Sequence, residues 1–592
     1  MKAQRRLLFY IQHFRHRYLN DRQYMMVLSV IIGFLSGLAA VVIKNAVHAI
    51  QGFLTAGFDV EYNNVLYIFY PLIGIILTVI FIRFILRQYV GDGVPTVLHA
   101  ISKTKAILKK HNMFSSVISS SLTVGFGGSV GLEGPTVATG AAIGSNIGKF
   151  LHLNYKQTLT LLAVASAGAM SAIFKSPIAA IVFAVEVIML DLTIASLIPL
   201  LLASVTAALT SYLFLGMDVL YPLEIKETFI IKDTLVFALF GVFSGLVSLY
   251  FTKAFVYFQN LFSEIGAWYW RLLFGAGILG LLIFLFPSLY GEGYKATNAA
   301  LLGQTDTLFE NSLFYGFHNN IIAIFILMFV VMLLKVVATS LTFGAGGIGG
   351  IFAPTLFTGA HAGLLFALVY NQVSNNPVSA TNFALVGMGG LIAGVIHAPL
   401  TAIFLIAEIT GGYQLFMPLM ITAVTSYMTI RIFTANSVYT IQLAKRGELL
   451  THHQDKNVLA MLDFSRLIET NFKVVSYEAT LRDLVNTIEG SMRNIFPVVD
   501  QNGSFRGHVI LDNVRHVMFK PEIYDTTYVK DLMNVPVYRI SPEDTVEAVA
   551  QKFQASGKYN MPVIDQGKYL GYISKANLFG QYRTKLKEVS DY

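Results

Sequence analysis

The stretch 127–140, GGSVGLEGPTVATG, sets one carboxylate, Glu133, among glycines and apolar residues that otherwise suit the interior of a membrane. A glycine run that ends in a proline-containing turn and opens an apolar helix leaves backbone N–H groups unpaired at the helix N-terminus. The macrodipole adds about half a positive charge there. Such a terminus is an anion site. Glycine admits the ion close to the backbone, and amide dipoles hold it without a full positive charge that would bind it too tightly to let it pass. Glu133 is itself an anion competing for that place. Ionised, it plugs the path; protonated, it is neutral and can swing aside, so pH and ion occupancy couple at one side chain. A glutamate that merely capped its own helix would carry the cost of burial without a return.

The same pattern recurs further along the chain. Aligning Pro135 with Pro354 sets GGSVGLEGPTVATGAAIG beside GGIGGIFAPTLFTGAHAG, so that Gly127, Gly128, Gly131, Thr136, Thr139, Gly140 and Gly144 match Gly346, Gly347, Gly350, Thr355, Thr358, Gly359 and Gly363. A second pair follows, SPIAAIVFAVEV (176–187) against APLTAIFLIAEI (398–409), matching Pro177, Ala180, Ile181 and Glu186 to Pro399, Ala402, Ile403 and Glu408. The unit is duplicated, and two helix termini brought together could hold one dehydrated anion between them. Glu186, paired with Glu408, is expected to be a buried structural carboxylate with a polar partner, a transport role being the alternative.

These motifs sit in a chain of 592 residues that is 55% hydrophobic and 13% charged, far more apolar than a soluble protein. Apolar helical segments are expected near 25–54, 65–88, 113–128, 133–151, 157–175, 177–214, 233–259, 270–287, 320–342, 352–371, 382–397 and 399–434. Several are too short or too broken by Gly and Pro to cross a core of about 30 Å unaided, and broken helices inside a membrane usually line a site. The fold class is therefore an all-α polytopic membrane domain with broken helices over 25–448, its repeat halves near 25–215 and 230–444. The net charge of +8 does not indicate nucleic acid. Lys2, Arg5, Arg6, Arg15, Arg17 and Arg22 precede the first span, and Lys103, Lys105, Lys109 and Lys110 follow the second, as expected of cytoplasmic loops. The N-terminal segment 1–24 is thus expected to be cytoplasmic, with no signal-peptide cleavage pattern. With no cysteine, disulfides and thiolate metal sites are excluded.

After Ala444 charged residues return and a second repeat begins. TLRDLVNTIEGSMRNIFPVVDQNGSFRGHVI (480–510) lines up with TVEAVAQKFQASGKYNMPVIDQGKYLGYIS (545–574). Each reads as an amphipathic helix, with Leu481, Leu484 and Ile488 or Val546, Val549 and Phe553 on its apolar face, then strand, turn and strand. The region 449–592 is expected to hold tandem α/β modules, about 465–522 and 528–585.

Taken together, the chain resembles the CLC family of chloride channels and chloride/proton exchangers over essentially its whole length. The family's three anion-binding stretches, of the forms GSGIP, GREGP and GIFAP, read here GDGVP (91–95), GLEGP (131–135) and GIFAP (350–354). The resemblance implies that the gate is Glu133, and that the anion is lined by Gly91, Asp92, Gly93, Gly131, Leu132, Gly134, Gly350, Ile351, Phe352, Ala353 and Tyr439, the last in SVYTIQLAKRG. It also implies inverted halves, a homodimer with one pathway per subunit and cytoplasmic CBS domains, which the tandem modules resemble. Three positions depart from the pattern: Asp92 replaces a serine, Leu132 an arginine, and Val187 the intracellular proton-relay glutamate of the exchangers. Asp92 is expected to cap the helix beginning near Val94, to stay protonated, or to weaken the central site. CBS modules elsewhere bind adenine nucleotides through an acidic residue near the end of each module. The corresponding places hold Asn513, with Asp512 beside it, and Ser574 followed by Asn577, so a nucleotide and a purely structural role both stay open.

The expected function is transport of chloride or a similar small anion, channel-like or weakly proton-coupled, with strict chloride/proton antiport as the alternative. No enzyme is expected: GGSVG (127–131) fits a G-x-S-x-G nucleophile pattern, but Ser129 lies between membrane helices, and His361 and His397 read as packed histidines. A CBS-regulated cation transporter is a distant alternative, because between Asn320 and Ile430 only Lys335 and Glu408 are charged. Neither metal nor nucleic acid is an expected partner.

Overall fold

The computed structural model describes residues 17–56, 65–188, 194–217, 229–302, 308–318, 320–445, 459 and 462–590. Lys2, Arg5, Arg6 and Arg15 of the basic leader, and the junction near 449, lie outside them. Two compact units divide at Leu449 and Leu450.

The first unit is helical. Among the described residues nine helices are long and apolar enough to cross a membrane, and Pro177–Glu186, Ala380–Ile396 and Pro399–Ile409 are shorter apolar pieces. This is a multi-pass membrane protein. Its first long helix, Asp21–Thr55, starts at a capping box in which Asn20 and Gln23 satisfy each other's backbone N–H. One face, with Val30, Ile31, Phe34 and Val42, stays exposed, as suits lipid. The other carries Gly33 and Gly37 against Ile194–Leu215; a Cβ on Gly33 would come within 2.5 Å of the Ala203 carbonyl oxygen. Small residues permit such contact where apolar lipid removes the hydrophobic drive between helices.

The expected segments 177–214 and 399–434 each prove to be two helices: Pro177–Glu186 with Ile194–Leu215, and Pro399–Ile409 with Phe416–Phe433. The second break lies at Gly411, which is left-handed at φ 73. The second break falls in EITGGYQ (408–414) and the first follows Glu186, so glycines and polar residues, not the averaged hydropathy of the run, mark them. The short helix Tyr294–Leu301 was not expected either.

The short pair shows how the halves join. Pro177 and Pro399 stand at the first helical positions, where a missing N–H costs nothing. The next two donors of each helix are taken by the other half's glutamate. Glu408 accepts from Ile178 N–H (3.0 Å), Ala179 N–H (2.8 Å) and the Ser176 hydroxyl (2.6 Å). Glu186 accepts from Leu400 N–H (3.1 Å), Thr401 N–H (2.8 Å) and the Thr401 hydroxyl (2.7 Å). Each carboxylate thus caps and charge-complements a helix N-terminus. Glu186→Gln and Glu408→Gln should each lower stability by about 1–3 kcal/mol, since an amide nitrogen then faces donors, with anion flux retained. Thermal melting and flux in liposomes check this; flux lost from folded Glu186→Gln protein would assign Glu186 to transport instead.

The second unit contains two α/β modules. In the first, β1 (Val475–Ser476) pairs parallel with β2 (Ile495–Val499), which pairs antiparallel with β3 (Phe505–Ile510). In the second, Ile540 bridges Val563 in parallel, and β4 (Asn560–Asp565) pairs antiparallel with β5 (Lys568–Ser574). The apolar faces read from the sequence close the cores: Leu481 and Leu484 with Phe496, Val498 and Val509, and Val546, Val549 and Phe553 with Met561, Val563 and Ile573. Phe505 N–H to Gly567 O (2.8 Å) and Tyr569 N–H to Gly503 O (3.3 Å) tie the modules together, and paired bonds between Glu469 and Tyr572 (2.7 and 3.0 Å) hold the leading segment on the second module.

Candidate anion site

The two glycine-rich termini meet. Gly131 N–H donates to the Gly350 carbonyl (2.8 Å) and Gly350 N–H to the Gly131 carbonyl (2.7 Å), a local antiparallel bridge between the two repeat halves. From this crossing run the helices Glu133–Phe150 and Phe352–Val373, whose N-caps, Leu132 (φ −93, ψ −13) and Ile351 (φ −91, ψ −3), have matching backbones and no side-chain cap. The contact is backbone on backbone. A Cβ on Gly350 would lie 2.8 Å from Gly134 N, and one on Gly93, at a positive φ of 73, would lie 2.8 Å from the Gly134 backbone.

Beside the crossing lies a cavity of about 30 Å³ lined by Asp92, Val94, Pro95, Gly134, Gly350, Ile351, Val438 and Tyr439, with Phe255, Gln259, Phe343 and Gln442. The volume admits a water-sized particle. All four stretches read from the sequence contribute, although they are separated by up to hundreds of residues. Phe255, Gln259, Phe343 and Gln442 were not anticipated, because they lie on ordinary apolar or amphipathic helical runs; Gln442 donates to Gln259 at 2.5 Å. Leu132, Phe352 and Ala353 are buried beside the crossing, Phe352 against Phe174 with ring centroids 5.2 Å apart. Gly91 faces Thr96, whose hydroxyl would collide with a Cβ. Val187, buried, closes the helix Pro177–Glu186 and does not line this cavity.

One expectation for Asp92 is corrected. The helix Val94–Lys103 is preceded by Gly93 as N-cap, with no side-chain cap bond, so Asp92 does not cap it. Gly93's positive-φ backbone carries the turn, and Asp92 lines the cavity instead.

Glu133 is 1% exposed. One carboxylate oxygen accepts from the Tyr294 hydroxyl. The other, Oε2, meets no donor in full hydrogen-bond geometry among the described residues and lies over Gly131, where a Cβ would meet it at 2.0 Å, beside Ala353 and facing the N-terminus of the second half's helix. The residue therefore reaches back across the crossing, and Gly131 must be glycine to admit it.

Behind Glu133 stand residues the sequence reading missed. Glu292 accepts from Leu132 N–H at 3.3 Å. Lys335, fully buried, donates to the Ser129 hydroxyl (2.9 Å), the Gly291 carbonyl (2.9 Å) and the Leu289 carbonyl (3.4 Å), and lies 5.0 Å from the Phe357 ring centre. The available signal was YGEGYK (290–295), an acid between glycines at a helix break like GLEG, together with a lone lysine in the apolar run 321–344. Ser129 donates to Leu289 O at 2.7 Å, an architectural bond rather than a nucleophile's setting. His361 directs Nδ1 at Phe357 O (2.8 Å) and stacks on that ring, as a packed histidine does.

In the modules, Asp512 pairs with exposed Arg515 at 2.6 Å and Asn513 is exposed. Ser574 donates to Glu469 (2.5 Å) and accepts from Asn577 N–H (3.1 Å), while the Asn577 side chain donates to Leu467 O (3.1 Å).

Comparison with known proteins agrees with this architecture. The family described as voltage gated chloride channel matches residues 73–431, and the CBS domain matches 529–582. A ClcB-like protein of Ralstonia nicotianae is 29% identical over 388 residues, covering 64% of this chain and 85% of its own length. The H(+)/Cl(-) exchange transporter ClcA of Vibrio parahaemolyticus is 26% identical over 429 residues, covering 70% and 88%. In fold, the chain is similar to a slow cyanobacterial Cl-/H+ antiporter, with TM-score 0.62 at 21% identity over 72% of this chain and 98% of that one. With its crossed glycine-rich termini and a family match spanning most of the membrane unit, the chain belongs to the voltage-gated chloride channel (CLC) family of anion transporters and carries a C-terminal CBS domain.

Proposed function

We propose that the protein passes chloride or a similar small anion through the Gly131–Gly350 crossing, with Glu133 as its gate. The observation that carries this reading is the buried Glu133 carboxylate, one oxygen of which lies over Gly131 beside Ala353, where two helix N-termini without side-chain caps meet. An anion stabilised by those amides and the Glu133 carboxylate compete for one place. The working unit in this reading is a homodimer in a lipid bilayer with one path per subunit, its N-terminus and CBS pair on the cytoplasmic side. The anion contacts are Asp92, Gly134, Gly350, Ile351 and Tyr439 around the cavity.

Conduction is uncoupled or weakly coupled to protons, because Val187 cannot carry a proton at the position where exchangers of this family use a glutamate. Strict exchange is the second reading, and it is favoured by the relatives named as H(+)/Cl(-) exchange transporters. Purified protein in liposomes, with anion flux and proton movement recorded together, separates the two. Chloride flux without accompanying proton flux is expected. A chloride gradient that drives protons uphill at fixed stoichiometry, dependent on Glu133, would establish exchange. For the CBS pair a structural, modulating role is preferred to adenine-nucleotide binding, since Ser574 and Asn577 are engaged with Glu469 and Leu467.

A further inference from the structure

The duplication that pairs Gly131 with Gly350 also pairs two acids. Gly91, Asp92 and Gly93 lead into the short helix Val94–Lys103; Gly291, Glu292 and Gly293 lead into the short helix Tyr294–Leu301. Gly93 and Gly293 are both N-caps with positive φ, 73 and 86. Asp92 borders the cavity together with Ile351. Glu292 takes the N–H of Leu132, the counterpart of Ile351 in the first half. One acid therefore stands at each anion-binding turn, Asp92 in the cavity and Glu292 beside the residue that precedes Glu133.

Glu292 is held in that place. Lys335 grips the carbonyls of Leu289 and Gly291, and a Cβ on Gly293 would lie 3.4 Å from its Nζ, so the turn carrying Glu292 is wrapped around a buried amine. Two residues on, Tyr294 donates to Glu133, so a single turn contacts the gate and the amide in front of it. Lys44, which donates to Ile173 O at 3.1 Å, interacts electrostatically with both carboxylates, and Lys335 does so with Glu292. Among the described residues, Tyr294 donates to Glu133, and Tyr439 is a further titratable group within its electrostatic reach.

We propose that Glu292 is a positioning residue for the gate, setting the pH at which Glu133 takes up a proton and leaves the anion path. The proposal rests on the reading of Glu133 as the gate. An ionised Glu292 repels an ionised Glu133 and so favours its protonation, while Lys44 opposes it.

The test is the pH profile of anion flux for the full-length protein in liposomes. Glu292→Gln keeps the size of the side chain and an acceptor for Leu132 N–H but removes the charge. It should move the midpoint of gating to lower pH by about one unit. Lys44→Met should move it to higher pH, and Glu292→Asp should restore it toward wild type. An unmoved midpoint in Glu292→Gln, shifts of the same sign in Glu292→Gln and Lys44→Met, or Glu292→Asp behaving as Glu292→Gln would each overturn the proposal. Glu133→Ala distinguishes its failure from that of the gate reading: if Glu133→Ala keeps the pH profile, the gate assignment fails. If Glu133→Ala flattens the profile while Glu292→Gln leaves the midpoint in place, only the role of Glu292 fails.

Discussion

Glu133→Ala should flatten the pH dependence of anion flux and leave the flux itself intact or raised. The substitution removes the carboxylate that lies over Gly131 and spares the amides of both helix N-termini, since those are held by the backbone bridge between Gly131 and Gly350. In the wild type, flux limited by protonation of one carboxylate should rise by up to about tenfold for each unit the pH falls through its titration. The variant should lose that slope. Stopped anion efflux from liposomes containing folded, homogeneous variant protein would show that Glu133 supports conduction rather than gating it. Glu133→Gln should behave like the alanine variant in its pH profile, because it too has no titrating group, although its amide still reaches toward Tyr294.

Asp92→Ser should tighten anion binding by tenfold or more. Asp92 does not cap its helix and borders the cavity together with Gly134, Gly350 and Tyr439. An ionised carboxylate about 4 Å from an anion costs roughly 4 kcal/mol at an effective dielectric near 20, and even a third of that is a factor of about ten in affinity. The serine hydroxyl has no charge and can donate to the ion. Calorimetric chloride titrations of both proteins at neutral pH measure the difference. Unchanged affinity would mean that the carboxylate points away from the ion or is already neutral. These two cases separate on raising the pH, where a carboxylate that is neutral at pH 7 ionises and weakens chloride binding in the wild type alone. If Asp92 also carries protons in place of Val187, the serine variant should lose any proton movement that the wild type shows while keeping anion flux.

Much of the fold could be read from residue order. The long spans announced themselves by hydropathy, and the apolar faces of the helices in the two α/β modules by a period near 3.6, because both signals arise from local contact with lipid or a small core. The breaks at Gly411 and after Glu186 did not show in hydropathy averaged over a span; their signal was local, EITGGYQ (408–414) at one and Glu186 at the other. At the site, the sequence by itself determined which segments carry an anion-binding terminus, because that property belongs to the local backbone: glycines, a proline and an opening helix. It also established the duplication, and with it the pairing of Gly131 with Gly350 and of Glu186 with Glu408. Only the tertiary structure decided how the pairs meet. The glutamates exchange helices, each capping the opposite half. Asp92 turns from a helix cap to a cavity wall. Glu292 and Lys335 arrive beside Glu133 from positions about 160 and 200 residues away in the chain. Electrostatic interactions between buried groups depend on distance through space, and two repeat halves that meet bring together residues whose separation in sequence carries no trace of that distance.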